Sequence, residues 1–77
     1  MELTADSKEM LEIIEEAIRA EVAAYNRYSR GAERASNDEI KELFLSLARE
    51  EQGHRERLIA QYEILAGKSW EQWMEAT

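Results

Sequence analysis

The chain has no cysteine, no proline and a single histidine, and only three of its 77 residues are glycine. Without cysteine there can be no disulfide, zinc finger, thiolate iron–sulfur cluster or cysteine nucleophile. Without proline the commonest helix breaker is missing, and glycines at 31, 53 and 67 leave few places to stop a helix. Positive charge is scarce as well: 17 acidic residues against 10 basic ones give a net charge of −7. That average repels nucleic acid, and no basic stripe offsets it, whereas an acidic surface concentrates cations. No apolar run approaches membrane-spanning length, and the opening "MELTADSKEM" lacks the basic-then-apolar layout of a signal peptide. The expectation is a soluble cytoplasmic protein that binds neither nucleic acid nor membrane. A chain this short forms one domain, 1–77, with limited apolar surface to bury, so a metal or a partner subunit is expected to help.

What the chain does have is alanine, glutamate, leucine and arginine in abundance, all good helix formers. A first helix is predicted over 6–35, with Asp6 or Ser7 as its cap. "ASNDE" reads as a tight connection in which Ser36, Asn37 or Asp38 caps a second helix over 38–66. Gly67 supplies the stop. "SWEQWMEA" reads as a short third helix over 69–76, with Ser69 and Gln72 at capping-box spacing. Two helices of about 28 residues, each roughly 42 Å long, joined by a short turn make an antiparallel hairpin. The fold class is therefore all-α.

Each long helix carries one apolar stripe, and each stripe is interrupted. In the first, Leu11, Ile14, Ile18, Glu21, Tyr25, Tyr28 and Ala32 follow steps of three and four, with Glu21 near the middle. In the second, Ile40, Phe44, Leu47, Glu51, His54, Leu58, Tyr62 and Leu65 do the same, with Glu51 and His54 as the polar intruders. Glu12, Glu15, Glu16, Glu33 and Glu42 fall outside the central stripes and Glu50 lies at the edge of the apolar sector, so most acids obey the pattern. A buried carboxylate escapes its desolvation cost by protonation, by an ion pair or by a metal. Each intruder taken alone has an ordinary explanation: a satisfied core histidine, or a glutamate paired with an arginine such as Arg55, although Arg55 should point to solvent.

Together they suggest something else. In an antiparallel hairpin Glu21 stands level with Glu51 and His54, and two carboxylates converging away from water repel unless a cation joins them. Oxygen and imidazole donors without thiolate suit iron, manganese or zinc. One chain supplies two carboxylates and one imidazole, too few for a pair of ions. Two hairpins packed about a twofold axis would form a four-helix bundle with four glutamates and two histidines at its centre, the donor set of carboxylate-bridged dimetal bundles.

Residues 17–58, "AIRAEVAAYNRYSRGAERASNDEIKELFLSLAREEQGHRERL", carry a resemblance to the ferritin-like superfamily. The matching elements are Glu21, the aromatic Tyr28 one heptad later, the thirty-residue interval to Glu51, and Glu51-x-x-His54. The segment is similar to rubrerythrins and to encapsulated ferritins, whose chains are half a ferritin bundle and complete their di-iron site by dimerising. The resemblance implies that Glu51 bridges two irons, two per dimer, with Glu21 and His54 as more terminal ligands and manganese or zinc as substitutes. Tyr28 would lie just outside the ligands, and Tyr25, on the same stripe, fits packing better. The family also implies ferroxidase chemistry for iron storage or detoxification, a homodimer within a ring-like oligomer, and association with an encapsulin compartment.

Two departures stand out. Ala20 and Ala23 occupy positions that are acidic in several encapsulated ferritins, so an accessory metal-entry site is not expected here. No shell-docking peptide follows the third helix in this sequence. The other readings are a rubrerythrin-like peroxide reductase with an external electron donor, since this sequence holds no cysteine for electron transfer, and a non-catalytic helical dimerisation module. Trp70, Trp73 and Met74 form an apolar patch suited to folding back on the hairpin or to contacting a neighbouring dimer.

Overall fold

In the computed structural model the described residues are 4–71, and among them the chain is all-helical. Helix α1 spans Ala5–Arg34 and helix α2 spans Asp38–Ala66. The two pack against each other as a hairpin. The predicted third helix, with Gln72, Trp73 and Met74, lies outside the described residues from 72 onward.

Local chemistry sets the ends. Thr4 in extended conformation caps α1, its Oγ1 accepting the Ser7 N–H at 3.0 Å. The cap therefore lies two residues before Asp6: a threonine oxygen reaching the third residue on is the usual capping geometry, and Ser7 serves as its target. Asn37 caps α2, its Oδ1 accepting the N–H groups of Glu39 and Ile40 at 2.8 and 3.2 Å. Asp38 and Glu39 in the first turn complement the positive end of that helix. Gly67 ends α2 in the left-handed region, at φ 72°, where a Cβ would be strained.

Burial divides into two zones. Toward the free ends of the hairpin, Leu11, Ile18, Tyr62 and Trp70 form the main cluster, with Ile14, Leu58, Ile59, Leu65 and Ala66 against it. The Tyr62 and Trp70 rings meet edge to face with centroids 5.1 Å apart, a favourable aromatic geometry. Trp70 thus folds back on the hairpin, its backbone N–H donating to Glu63 Oε2 at 3.0 Å. Toward the connection, Ala32 and Ala48 are buried, and Tyr28 stacks on Phe44 with centroids 6.2 Å apart. Glu21, Glu51 and His54 lie between the two zones.

The predicted stripe on α2 is wider than the surface that α1 covers. Ala48, one residue past Leu47 in the stripe, is 5% exposed, while Ile40 is 45% exposed. The stripe therefore straddles two directions, one facing α1 and one open. A helix in a four-helix bundle has two neighbours, and a stripe shared between them would look like this.

Candidate metal centre

Helix periodicity places the three intruders. Glu51 and His54 are three residues apart on α2 and so project from one face, about a turn apart. Glu21 projects from the middle of α1 toward the same level. His54 Nδ1 lies 3.6 Å from Glu21 Oε2 and 3.8 Å from Glu51 Oε2. One donor atom from each residue falls within 4.8 Å of the other two, so the three form a group that could hold a metal ion.

The burial is uneven, and the unevenness is informative. The Glu21 and Glu51 side chains are 22% and 18% exposed, whereas His54 is 53% exposed. Glu21 Oε2 is itself shut off from solvent and has no hydrogen-bond partner. A buried carboxylate oxygen with nothing to accept from carries its full desolvation cost. A self-contained polar network would close the gap to His54, yet 3.6 Å is too long for a hydrogen bond. It is close to the separation of two donors on a shared ion, roughly 3–4 Å when each bond is about 2.0–2.2 Å. The orphaned oxygen and the oxygen–imidazole donor set thus fit a first-row divalent metal.

A groove of about 430 Å³ opens beside the trio, lined by Glu21, His54, Arg57, Leu58, Ala60 and Gln61. On another side of the hairpin a second groove, of about 500 Å³, is lined by Ile18, Arg19, Val22, Tyr25, Gln52 and Trp70, among others. Tyr25 therefore lines a groove whose walls include none of the three donors, and it is 39% exposed there. The stripe alone could not separate Tyr25 from Tyr28, because both sides of a seam share one periodicity. Arg55, as expected for a residue aimed at solvent, is exposed and lines that second groove too. Arg57 and Gln61 border the trio without having been marked out by the stripes. Both are exposed polar residues on a helix, and only their spacing from His54, three and seven residues, identifies them as its neighbours.

With this geometry in view, the comparisons with known proteins are concordant. Residues 12–75 match the family described as Rubrerythrin, a span that holds both helices' centres and all three donors. No curated protein and no solved structure matches the chain.

Proposed function

The chain belongs to the rubrerythrin family, and from that premise we propose that it is a ferroxidase whose site is completed by a second copy of itself. The family and the Glu21–Glu51–His54 cluster support an iron-dependent, ferritin-like function. The finer reading rests above all on the orphaned Glu21 oxygen, 3.6 Å from an imidazole nitrogen that fails to satisfy it.

Stoichiometry argues for two copies. Three donors are few for one ion and insufficient for two, whereas a twofold axis beside the trio doubles them to four carboxylates and two imidazoles. Surface argues the same way. The chain exposes 5,928 Å², against about 4,900 Å² for a compact folded monomer of its mass by the usual scaling. The surplus of roughly 1,000 Å² is comparable to what one partner buries in a standard interface.

Fe(II) is the substrate, and dioxygen or peroxide is the oxidant. In this reading Glu21, Glu51 and His54 of each copy would hold the ions, the carboxylates and imidazole together supplying oxygen and nitrogen donors to Fe(II). The carboxylates offset the added positive charge on going from Fe(II) to Fe(III), which favours the oxidised state. Leu58 beside the trio limits water at the site. An assembly without a cage of its own would pass the oxidised iron to mineral stored elsewhere, and an encapsulin lumen is one such place.

The test is anaerobic Fe(II) loading followed by oxygen, watching Fe(III) absorbance in the parent chain and in Glu51→Ala. Rapid oxidation at about two Fe per dimer in the parent, lost in the variant, is the expected result. Equal oxidation in both would remove the proposal. Sustained peroxide consumption with an added electron donor, in place of stoichiometric iron oxidation, would move the assignment to a peroxide reductase.

A further inference from the structure

Arg57, at the rim of the groove beside the trio, belongs to a series on α2 with one member every seven residues: Leu43, Glu50, Arg57 and Ile64. Seven residues are close to two full turns, so these side chains form one row along the helix. The hairpin gives the row no cover. Glu50 and Arg57 are exposed, Leu43 is 49% exposed and Ile64 is 76% exposed. Single exposed apolar residues on a protein surface are ordinary, but the order of this row is not. It runs apolar, acid, base, apolar, and each inner and outer pair is equidistant from one point, between Gly53 and His54.

A row with that symmetry is its own complement when a second copy lies antiparallel to it. A twofold axis at the midpoint sets Glu50 opposite the partner's Arg57 and Leu43 opposite the partner's Ile64, and the reverse. A parallel arrangement would set like charge on like charge, which interfaces avoid. Two further facts converge on the same midpoint. It is level with the metal donors, His54 lying at it and Glu51 two residues before Gly53, where an axis has to pass for two trios to merge. It also falls beside Gly53, a mid-helix glycine where alanine would be the better helix former. Among the described residues nothing beyond Gly53's own helical turn lies within 4 Å of where its Cβ would stand, so no contact seen in the hairpin requires the missing side chain. A close helix crossing at the axis would.

We propose that the Leu43–Glu50–Arg57–Ile64 row is a register code: it makes α2 pack antiparallel against α2 of a second copy about an axis at Gly53–His54. The inference rests on the two-copy reading of the metal centre and names the residues that specify it. The row sets which partner is accepted and in which alignment, and the alignment brings the two trios together.

Charge reversal tests it, with oligomeric state as the readout. Glu50→Arg and Arg57→Glu, each alone, turn both symmetric pairs repulsive. Sedimentation should show the dimer dissociation constant raised roughly tenfold or more in each, with helical content by circular dichroism unchanged. Mixing the two variants in equal amounts should give a heterodimer. Position 50 of the first, made basic, then faces position 57 of the second, made acidic, while the unaltered Arg57 and Glu50 face each other. The doubly substituted chain, Glu50→Arg with Arg57→Glu, should dimerise like the parent. Single variants that dimerise as well as the parent overturn the code. So does a mixture that fails to form heterodimers, including the case where a single variant folds poorly and mixing does not rescue it. If the parent chain dimerises and binds Fe(II) while the reversals have no effect, the code alone falls. A parent that stays monomeric with and without Fe(II) removes the shared centre, and the code with it.

Discussion

Glu21 is the residue that the fold of one chain explains least. Its Oε2 is buried without a hydrogen-bond partner, and a second carboxylate belongs to the same donor group. Glu21→Gln removes the charge while keeping the shape, and its amide can donate toward Glu51. The metal-free variant should be more stable than the parent by about 1 kcal/mol, read from urea midpoints. Its metal affinity should fall by more than the roughly 10–100-fold that loss of an outer-shell partner costs, read by calorimetry with Zn(II). Opposite signs in the two measurements would mark a residue kept for binding at a cost in stability. A loss of both would mean that the carboxylate is structural. Glu21, Glu51 and His54 were legible in the sequence because each contradicts the apolar stripe it sits on. Arg57 was not, because an exposed arginine contradicts nothing, and only the symmetry of its seven-residue series distinguishes it. Tyr25 could not be assigned a side, because periodicity fixes a face and not which of two grooves flanks it.

At the scale of the helices, two contacts hold the hairpin closed at opposite ends. Near the connection, a Cβ on Gly31 would stand 2.9 Å from two carbons of the Phe44 ring, which is itself stacked on Tyr28. Gly31→Ala gains helix propensity, about 1 kcal/mol, but forces the ring to move, and overpacking of this kind costs about 1–3 kcal/mol. The net should be a thermal midpoint several degrees lower, at roughly 4–8 °C per kcal/mol for a domain of this size. Toward the free ends, the buried Tyr62 hydroxyl donates to Glu15 Oε1 at 3.4 Å. Burial first, then the Glu15 charge and this hydrogen bond, raise the phenol above its usual range. The folded state therefore holds the Tyr62 proton more tightly than the unfolded chain does. The contribution is complete below about pH 10 and is lost as pH climbs through the raised value. Tyr62→Phe should flatten that alkaline decline in denaturation curves while costing about 0.5–1.5 kcal/mol at neutral pH. An unchanged alkaline limb would assign the decline to other groups. Helix α2 was easy to delimit, because Asn37 and Gly67 are both strong end signals. The start of α1 was harder, since Thr4, Asp6 and Ser7 can all cap and only the folded backbone selects Thr4. The expected stripe was right in period but broader than the buried surface, because periodicity marks the whole apolar face of a helix and α1 covers only part of that face.

The described hairpin measures 53 by 20 by 15 Å, two helices across and one thick, so between the two aromatic zones each long helix is covered only by the other. Such a body leaves its second apolar direction open, and the Glu21–Glu51–His54 group, which could hold a metal ion, sits at the edge of that opening. Association and metal binding should then be coupled, because each supplies what the other lacks. A ligand that binds only the folded assembly stabilises it by about 2.7 kcal/mol at one hundred times its dissociation constant. For a domain of this length that is roughly 10–20 °C. Anaerobic Fe(II) or Zn(II) should therefore raise the thermal midpoint by that order, and chelator should reverse it. The midpoint should also climb with protein concentration, more steeply for the apo chain than for the metal-loaded one. On the two-copy proposal a Glu51→Ala chain would keep the interface and lose a carboxylate donor, so its midpoint should still depend on concentration while ignoring the metal. The inert dimerisation module predicts a different pattern: concentration dependence in every sample and no response to metal or chelator in any. A metal shift in the parent at a fixed concentration separates the two, since only a centre shared between copies lets a cation stabilise the contact between them.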